Sequence, residues 1–402
     1  MRFRALLTAA AVLAASACGA NPDEPEKVTL TWWDSYESAT ADEAARAMVQ
    51  RYQDAHPEVE VKRTSIPRAE IRAKLDQAAT SGAFPDVVVV DQADLPRLAK
   101  QNAITDLTEL FEQWETGGKF LGPVRASVTW SEKVWGVPLR TETNALLYNR
   151  DLMLGAPPTT WEGLRTTAKA LTNPQRSGLC FAGLPGEELT TTFLPLLWQS
   201  GGDLTDLDGA ADALGFLHDL MAADGSVPNA VLGWDGAQAA QAVASGSCAM
   251  VIGGTSSVKP LNSSGMAWSV APLPAGPAGE AAALSGETWV IGKGARSTEA
   301  AWDLVRSLAD DEENVTQLGA GLGGLPNRSD TVADPAWQWD PSVAGFAAQL
   351  ETARPRVAYG SNYPQLSEVV WTMVQRVLKG GEDPQTAASE AKRAATPLLT
   401  DG

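Results

Sequence analysis

In residues 28–34, Val-Thr-Leu-Thr-Trp-Trp-Asp, the alternating positions Val28, Leu30 and Trp32 share one side. A period of two predicts a strand. From Ser38 to Arg51 the period becomes helical, with Ala44, Ala45, Met48 and Val49 on one side. A second strand follows in 56–66, and then a helix over 68–82 that closes on Gly82. Four valines in a row, Val87 to Val90, lie between Pro85-Asp86 and Asp91. A run this uniformly apolar predicts a parallel strand covered on both faces. Residues 92–102 and 107–114 read as helical. Strands alternating with helices define an α/β domain built on a parallel sheet.

The same grammar recurs further on. Strands are predicted at 144–149, 179–184, 248–254 and 266–274. Helices are predicted from near Thr160 to Thr172, then at 190–202, 210–224 and 234–247. A Gly/Ala-rich connection from Ala275 leads into a strand at 288–292, followed by a helix over 298–310. Helices at 366–381 and 383–399 end the chain, and no internal repeat stands out.

The first residues follow a different logic. Arg2 and Arg4 precede an apolar run, Leu6 to Ala15, broken only by Thr8; small residues and then Cys18 follow. This is the layout of an export signal with a small-residue cleavage site. The run is shorter than the ~20 apolar residues a spanning helix needs. A cysteine directly after such a site resembles the bacterial lipobox, although Ala15 stands where leucine is usual. Residues 1–17 are therefore expected to be a signal peptide, with Cys18 lipidated and 18–27 a polar, proline-containing tether. The protein would sit anchored at the outer face of the cytoplasmic membrane.

Composition narrows the chemistry. The 402-residue length suits two or three domains, and 44% hydrophobic residues supply a sizeable core. A net charge of −18, from 49 acidic and 31 basic residues, argues against nucleic acid, whose phosphates would be repelled. His56 and His218 are the only histidines and no Cys-x-x-Cys occurs, so neither a metal site nor a cofactor is expected. Cys180 and Cys248 both sit in short apolar runs. Export permits a disulfide between them, and buried free thiols are an equal alternative. Tryptophan is over-used, with 14 against 5 tyrosines and 8 phenylalanines. A flat apolar ring with one N–H donor suits the C–H face and hydroxyl rim of a sugar, but at least half of these rings are expected to fill cores.

Several stretches, taken in order, resemble the family 1 extracellular solute-binding proteins of ATP-binding-cassette sugar importers. They are "LLYNRDLM", "PPTTWEGLRTTAKALT", "AMVIGGTS", "VAPLPAGPAG" followed by "LSGETWVIGKGARSTEAAWDLVRSLAD", and "GGLPNRSD" ahead of two terminal helices. The resemblance runs from about Val28 to Leu399. It implies a two-lobe periplasmic-binding-protein-like fold (type II), each lobe a mostly parallel sheet flanked by helices, with the ligand cleft between lobes. The lobes would be discontinuous: 28–140 plus 286–315, and 141–285 plus 316–402. It also implies a disaccharide or oligosaccharide ligand, ABC permease subunits as partners, and delivery by hinge closure; a monomer is expected.

In such a fold, ligand groups come from loops at the carboxyl ends of strands. The first such loop offers Asp34, Tyr36 and Glu37, and the third strand ends in Asp91 and Gln92. The first crossing offers Arg140, Glu142 and Asn144. Each has a structural reading too: Asp34 and Asp91 as helix caps, Arg140 and Glu142 as partners of each other. Trp198 and Trp234 are stacking candidates, with Asp235 beside the latter as ligand or cap, and Thr255 ends a strand. Many relatives carry an aromatic residue after that strand, whereas Gly254 and Thr255 stand here. The second crossing offers Gly286, Glu287 and Trp289, with Gly286 letting backbone approach the ligand. A loop before the penultimate helix offers Arg354, Arg356 and Tyr359, suited to gripping neighbouring hydroxyls. Asp91→Ala and Arg356→Ala are each expected to weaken binding while leaving the fold intact.

Enzyme motifs fare poorly. Gly319 to Gly324 has Gly-x-Gly-x-x-Gly spacing, but a helical stretch precedes it where a nucleotide site needs a strand. Ser256 to Lys259 fits Ser-x-x-Lys, yet no Lys-Thr-Gly or Ser-Asp-Asn accompanies it. The remaining alternatives are a secreted glycosidase using an Asp/Glu pair, and a binding protein for another solute such as a polyol phosphate or a peptide.

Overall fold

The computed structural model describes residues 27–311, 323–332 and 341–399. Cys18, the leader, most of the tether and the stretch from Gly319 to Leu322 lie outside the described residues.

The strands, in chain order, are β1 (Val28–Asp34), β2 (Val59–Ser65), β3 (Val87–Asp91), β4 (Thr129–Trp130), β5 (Lys133–Val134) and β6 (Val137–Thr143). Then come β7 (Ala145–Asn149), β8 (Ser177–Phe181), β9 (Cys248–Gly253), β10 (Trp268–Ala271), β11 (Ala282–Ile291) and β12 (Ala353–Pro355). They form a first sheet in the order β12-β11-β3-β1-β2, with β6 on the free side of β11, a second sheet β10-β7-β9-β8, and the small hairpin β4-β5. Each sheet carries its own core. Leu30, Trp32 and Val87 belong to one; Leu146, Phe181 and Met250 belong to the other.

Local signals account for several helix starts. Ser38, Thr160 and Ser297 each accept a backbone N–H at the head of the helices Ala39–Ala55, Trp161–Leu171 and Thr298–Asp310. Gly82, at φ 72°, closes Arg68–Ser81.

The chain passes between sheets where strands abut end to end. β6 keeps it in the first sheet to Thr143, and β7 begins in the second at Ala145. β11 returns it at Ala282, and β12 adds a third visit beside β11. Direction follows from this path. β1, β2 and β3 pair in parallel and run towards the second lobe, while β11, entering from that lobe, pairs antiparallel with both β3 and β6. In the second sheet only β8–β9 is parallel; β7–β9 and β10–β7 are antiparallel for the same reason. The expectation of mostly parallel sheets thus needs correcting wherever a crossing strand takes part.

Three local readings also change. Ala282 to Gly286, taken as a Gly/Ala-rich connection, is half of a ten-residue strand. Val137 to Thr143 is a strand, and Ala353 to Pro355 is a short strand rather than a loop. In each case pairing with a neighbour overrides weak local preference. Cys180 and Cys248, both fully buried on adjacent β8 and β9, are joined as a disulfide with Cα atoms 6.2 Å apart.

Candidate ligand-binding cleft

A cavity of about 570 Å³ opens between the two sheets. Asp91, Arg140 and Glu287 line it from the first sheet; Asn144, Glu187, Glu188, Ile252 and Gly253 line it from the second lobe. β3, β8 and β9 all end beside it, as expected of an α/β ligand site.

Two charge networks frame the cleft. In the first, the buried guanidinium of Arg356 spans the lobes. Its Nη2 lies 3.1 Å from Asp91 Oδ1, and its Nη1 donates to Glu187 at the head of the helix Glu187–Gln199. Glu187 also accepts from the Tyr363 hydroxyl at 2.6 Å and from Ser367 Oγ at 2.6 Å. Asp91 accepts in addition from the Ala93 N–H at 2.8 Å, so it is both a turn cap and a cleft residue.

The second network is centred on Arg140. This residue faces Glu287 directly across β6 and β11, and the Nε–Oε2 distance is 3.3 Å. Its Nη1 donates to Glu142 at 2.6 Å, and Thr255 Oγ1 donates to the same carboxylate oxygen at 3.0 Å. The Tyr36 hydroxyl donates to Glu287 at 3.1 Å, and Arg68 stands 3.9 Å from the same group.

Burial and charge shift the titrations. Burial alone would raise the Asp91 carboxyl, but the Arg356 guanidinium and the Ala93 N–H hold it below its ordinary 3.8. Burial, reinforced by Glu287, raises the Tyr36 hydroxyl well above 10.0; burial with Glu187 does the same to Tyr363. A raised phenol favours folding while it stays neutral. That contribution is complete below 10.0 and is lost as pH climbs towards the higher folded value. The melting temperature should therefore fall above pH 10, and Tyr36→Phe and Tyr363→Phe should each flatten that alkaline limb. Melts from pH 7 to 11 check this. Asp91 acts at the other end: its contribution is present above 3.8 and is lost as pH falls below.

Of the residues expected from sequence, Asp91, Arg140, Glu142, Asn144, Gly286, Glu287 and Arg356 come together around the cavity. Tyr36 and Thr255 stand one layer back, through Glu287 and Glu142. Glu37 accepts from the backbone N–H of Arg68. The others lie elsewhere. Asp34 is fully buried and gripped by Arg63, and Gln92 is buried. Trp198 donates to Tyr359, which donates to Asp203, and Arg354 lies over the Trp198 ring at 5.5 Å. Trp234 packs on the second core, and Asp235 closes a capping box with Gln238. Trp289 meets Trp32 edge-on inside the first core. Gly286 does permit a close approach, but to protein: at φ 145°, a Cβ there would lie 2.0 Å from the Arg140 carbonyl oxygen.

The expectation of aromatic walls is not met among the described residues; Trp337 and Trp339 lie outside them. No tryptophan, tyrosine or phenylalanine lines the cavity among the described residues. Core packing and indole hydrogen bonds claim the rings of Trp198, Trp234 and Trp289 instead. Sequence reasoning missed Arg68, Leu184, Glu187 and Glu188. Leu184, Glu187 and Glu188 follow the carboxyl end of β8, so the rule used for the other strands would have found them.

Two lobes, each with its own core, enclose a cleft lined by paired charges: this is the architecture of a protein that binds a solute between hinged halves. The family model of the bacterial extracellular solute-binding proteins matches residues 47–345, and the chain belongs to that family. Among curated relatives, it is 26% identical to an uncharacterized lipoprotein in the oleD 5' region of Streptomyces antibioticus, over 92% of this chain and 87% of that one. An ABC transporter solute-binding protein from Thermotoga lettingae, solved with alpha-D-tagatose, superposes with a TM-score of 0.80 at 25% identity, covering 93% of this chain and all of that one. The GacH receptor of Streptomyces glaucescens, solved unliganded and with acarbose, gives 0.79 at 26% identity, covering 93% and 99%.

Proposed function

We propose that this protein is the sugar-binding receptor of an ABC importer, closing its lobes around a disaccharide or oligosaccharide and presenting the closed form to permease subunits. One observation carries the reading: a single cavity is lined by the Arg140–Glu287 pair of the first lobe and by Arg356, which joins Asp91 of the first lobe to Glu187 of the second. Guanidinium and carboxylate groups together donate and accept the strong hydrogen bonds that hydroxyl-rich ligands require. The sugars bound by the structural neighbours support the same class. The ligand contacts proposed are Asp91, Arg140, Glu142, Asn144, Glu287 and Arg356, joined by Arg68, Glu187 and Glu188. We assign the first lobe as 28–143 and 282–311 with β12 beside β11, and the second as 145–281 and 363–399, so that the boundaries expected at 140 and 286 move to the ends of β6 and β11, with the hinge where β6 passes into β7 and β11 returns.

The ligand is released unchanged in this reading. Membership of a solute-binding family supports this. Lipidation at Cys18 ties a monomer to the outer face of the cytoplasmic membrane, a reading supported by the lipoprotein relative. Calorimetric titration with maltose, maltotriose, tagatose and acarbose tests the function. A saturable heat for at least one sugar, which is recovered intact, is the expected result. New reducing ends would turn the reading towards an enzyme, and a peptide or polyol phosphate binding in place of every sugar would overturn the ligand class.

A further inference from the structure

We propose that Leu184 is the apolar platform of the cleft, the side chain on which the saccharide lays its C–H face. This rests on the saccharide reading above. Two large hydrophobic side chains stand exposed among the described residues, Leu154 at 100% and Leu184 at 46%. Only Leu184 lines the cavity. A half-exposed leucine on the lining of a polar cleft leaves apolar surface that a ligand's C–H groups can remove from water.

The backbone holds it there. The N–H groups of Gly183 and Leu184 both donate to the Trp234 carbonyl, at 3.0 and 2.9 Å. The Gln375 side-chain amide donates to the Gly183 carbonyl. Gly183 itself runs so close to the next segment that a Cβ would meet the Val231 carbonyl oxygen at 2.5 Å. These bonds fix the backbone that carries Leu184 at the cavity wall. Ala182, Pro185 and Ile252 extend the apolar surface beside it, and the same cavity carries the Arg140 and Glu287 groups that suit hydroxyls. A pyranose has this pair of surfaces, C–H groups on its face and hydroxyls at its rim. Leu184, with Ala182, Pro185 and Ile252 beside it, supplies the apolar half.

Calorimetry on the full mature chain tests this, using the four sugars named above. Leu184→Ala is expected to weaken binding about tenfold for whichever sugar the wild type takes. Leu184→Met, which keeps the apolar area, should stay within about threefold, a span of less than 1 kcal/mol. Leu154→Ala should bind as the wild type. Equal affinity in wild type and Leu184→Ala overturns the assignment, as does an equal loss in Leu154→Ala or a tenfold loss in Leu184→Met. Silence from the wild type with all four sugars ends the saccharide reading and this assignment with it; wild-type heat beside an unaffected Leu184→Ala ends the assignment alone.

Discussion

Alanine at position 356 is expected to lower folding stability by about 2–3 kcal/mol, below the ~3–5 kcal/mol of a fully buried ion pair because Asp91 and Glu187 keep 30% and 42% of their side chains exposed. Only 2% of the Arg356 side chain reaches solvent, and its guanidinium serves Asp91 in the first lobe and Glu187 in the second. Without it the two carboxylates face each other's lobes with no cation between them. Urea unfolding followed by tryptophan fluorescence measures the loss. Adding Asp91→Asn to Arg356→Ala removes one stranded charge and should recover part of it, because groups in one network are not additive. Losses that simply add would mean that Asp91 and Arg356 are not coupled. The burial revises the reading from sequence, in which Arg356 was a binding residue whose loss left the fold intact. A side chain that joins the lobes contributes to both stability and closure.

Opening the Cys180–Cys248 bridge is expected to cost about 2–5 kcal/mol, since it closes a chain separation of 68 residues and so restricts the unfolded state. Comparing oxidised with reduced wild-type protein isolates this term, because no side chain is removed. Both cysteines lie in the second sheet, so the reduced protein should lose second-lobe structure first, splitting one calorimetric transition into two. Identical melts with and without reductant would show that the thiols are not paired in solution.

How much of this was legible beforehand depends on how local each signal is. The valine run announced β3, and Ser38, Thr160 and Ser297 announced their helices, because the cause lies within a few residues of the effect. The loop rule found Asp91, Arg140 and Glu287, since strand ends are where this architecture presents side chains. It failed at the aromatic residues. Trp198, Trp289 and Tyr359 sit in stretches that look like ligand loops, but their rings are claimed by partners far away in the chain.

The sequence by itself determined most of the order of strands and helices, the net acidic charge and the membership that this ordered set of motifs implies. These are properties of composition and of short-range periodicity, and a linear string carries them in full. Only the tertiary structure decided that Arg356 joins Asp91 across 265 residues, that crossing strands run antiparallel, and that a leucine faces the cleft where a ring was expected. Each of those depends on which distant backbone lies alongside, and that is fixed by the packing of the two cores together.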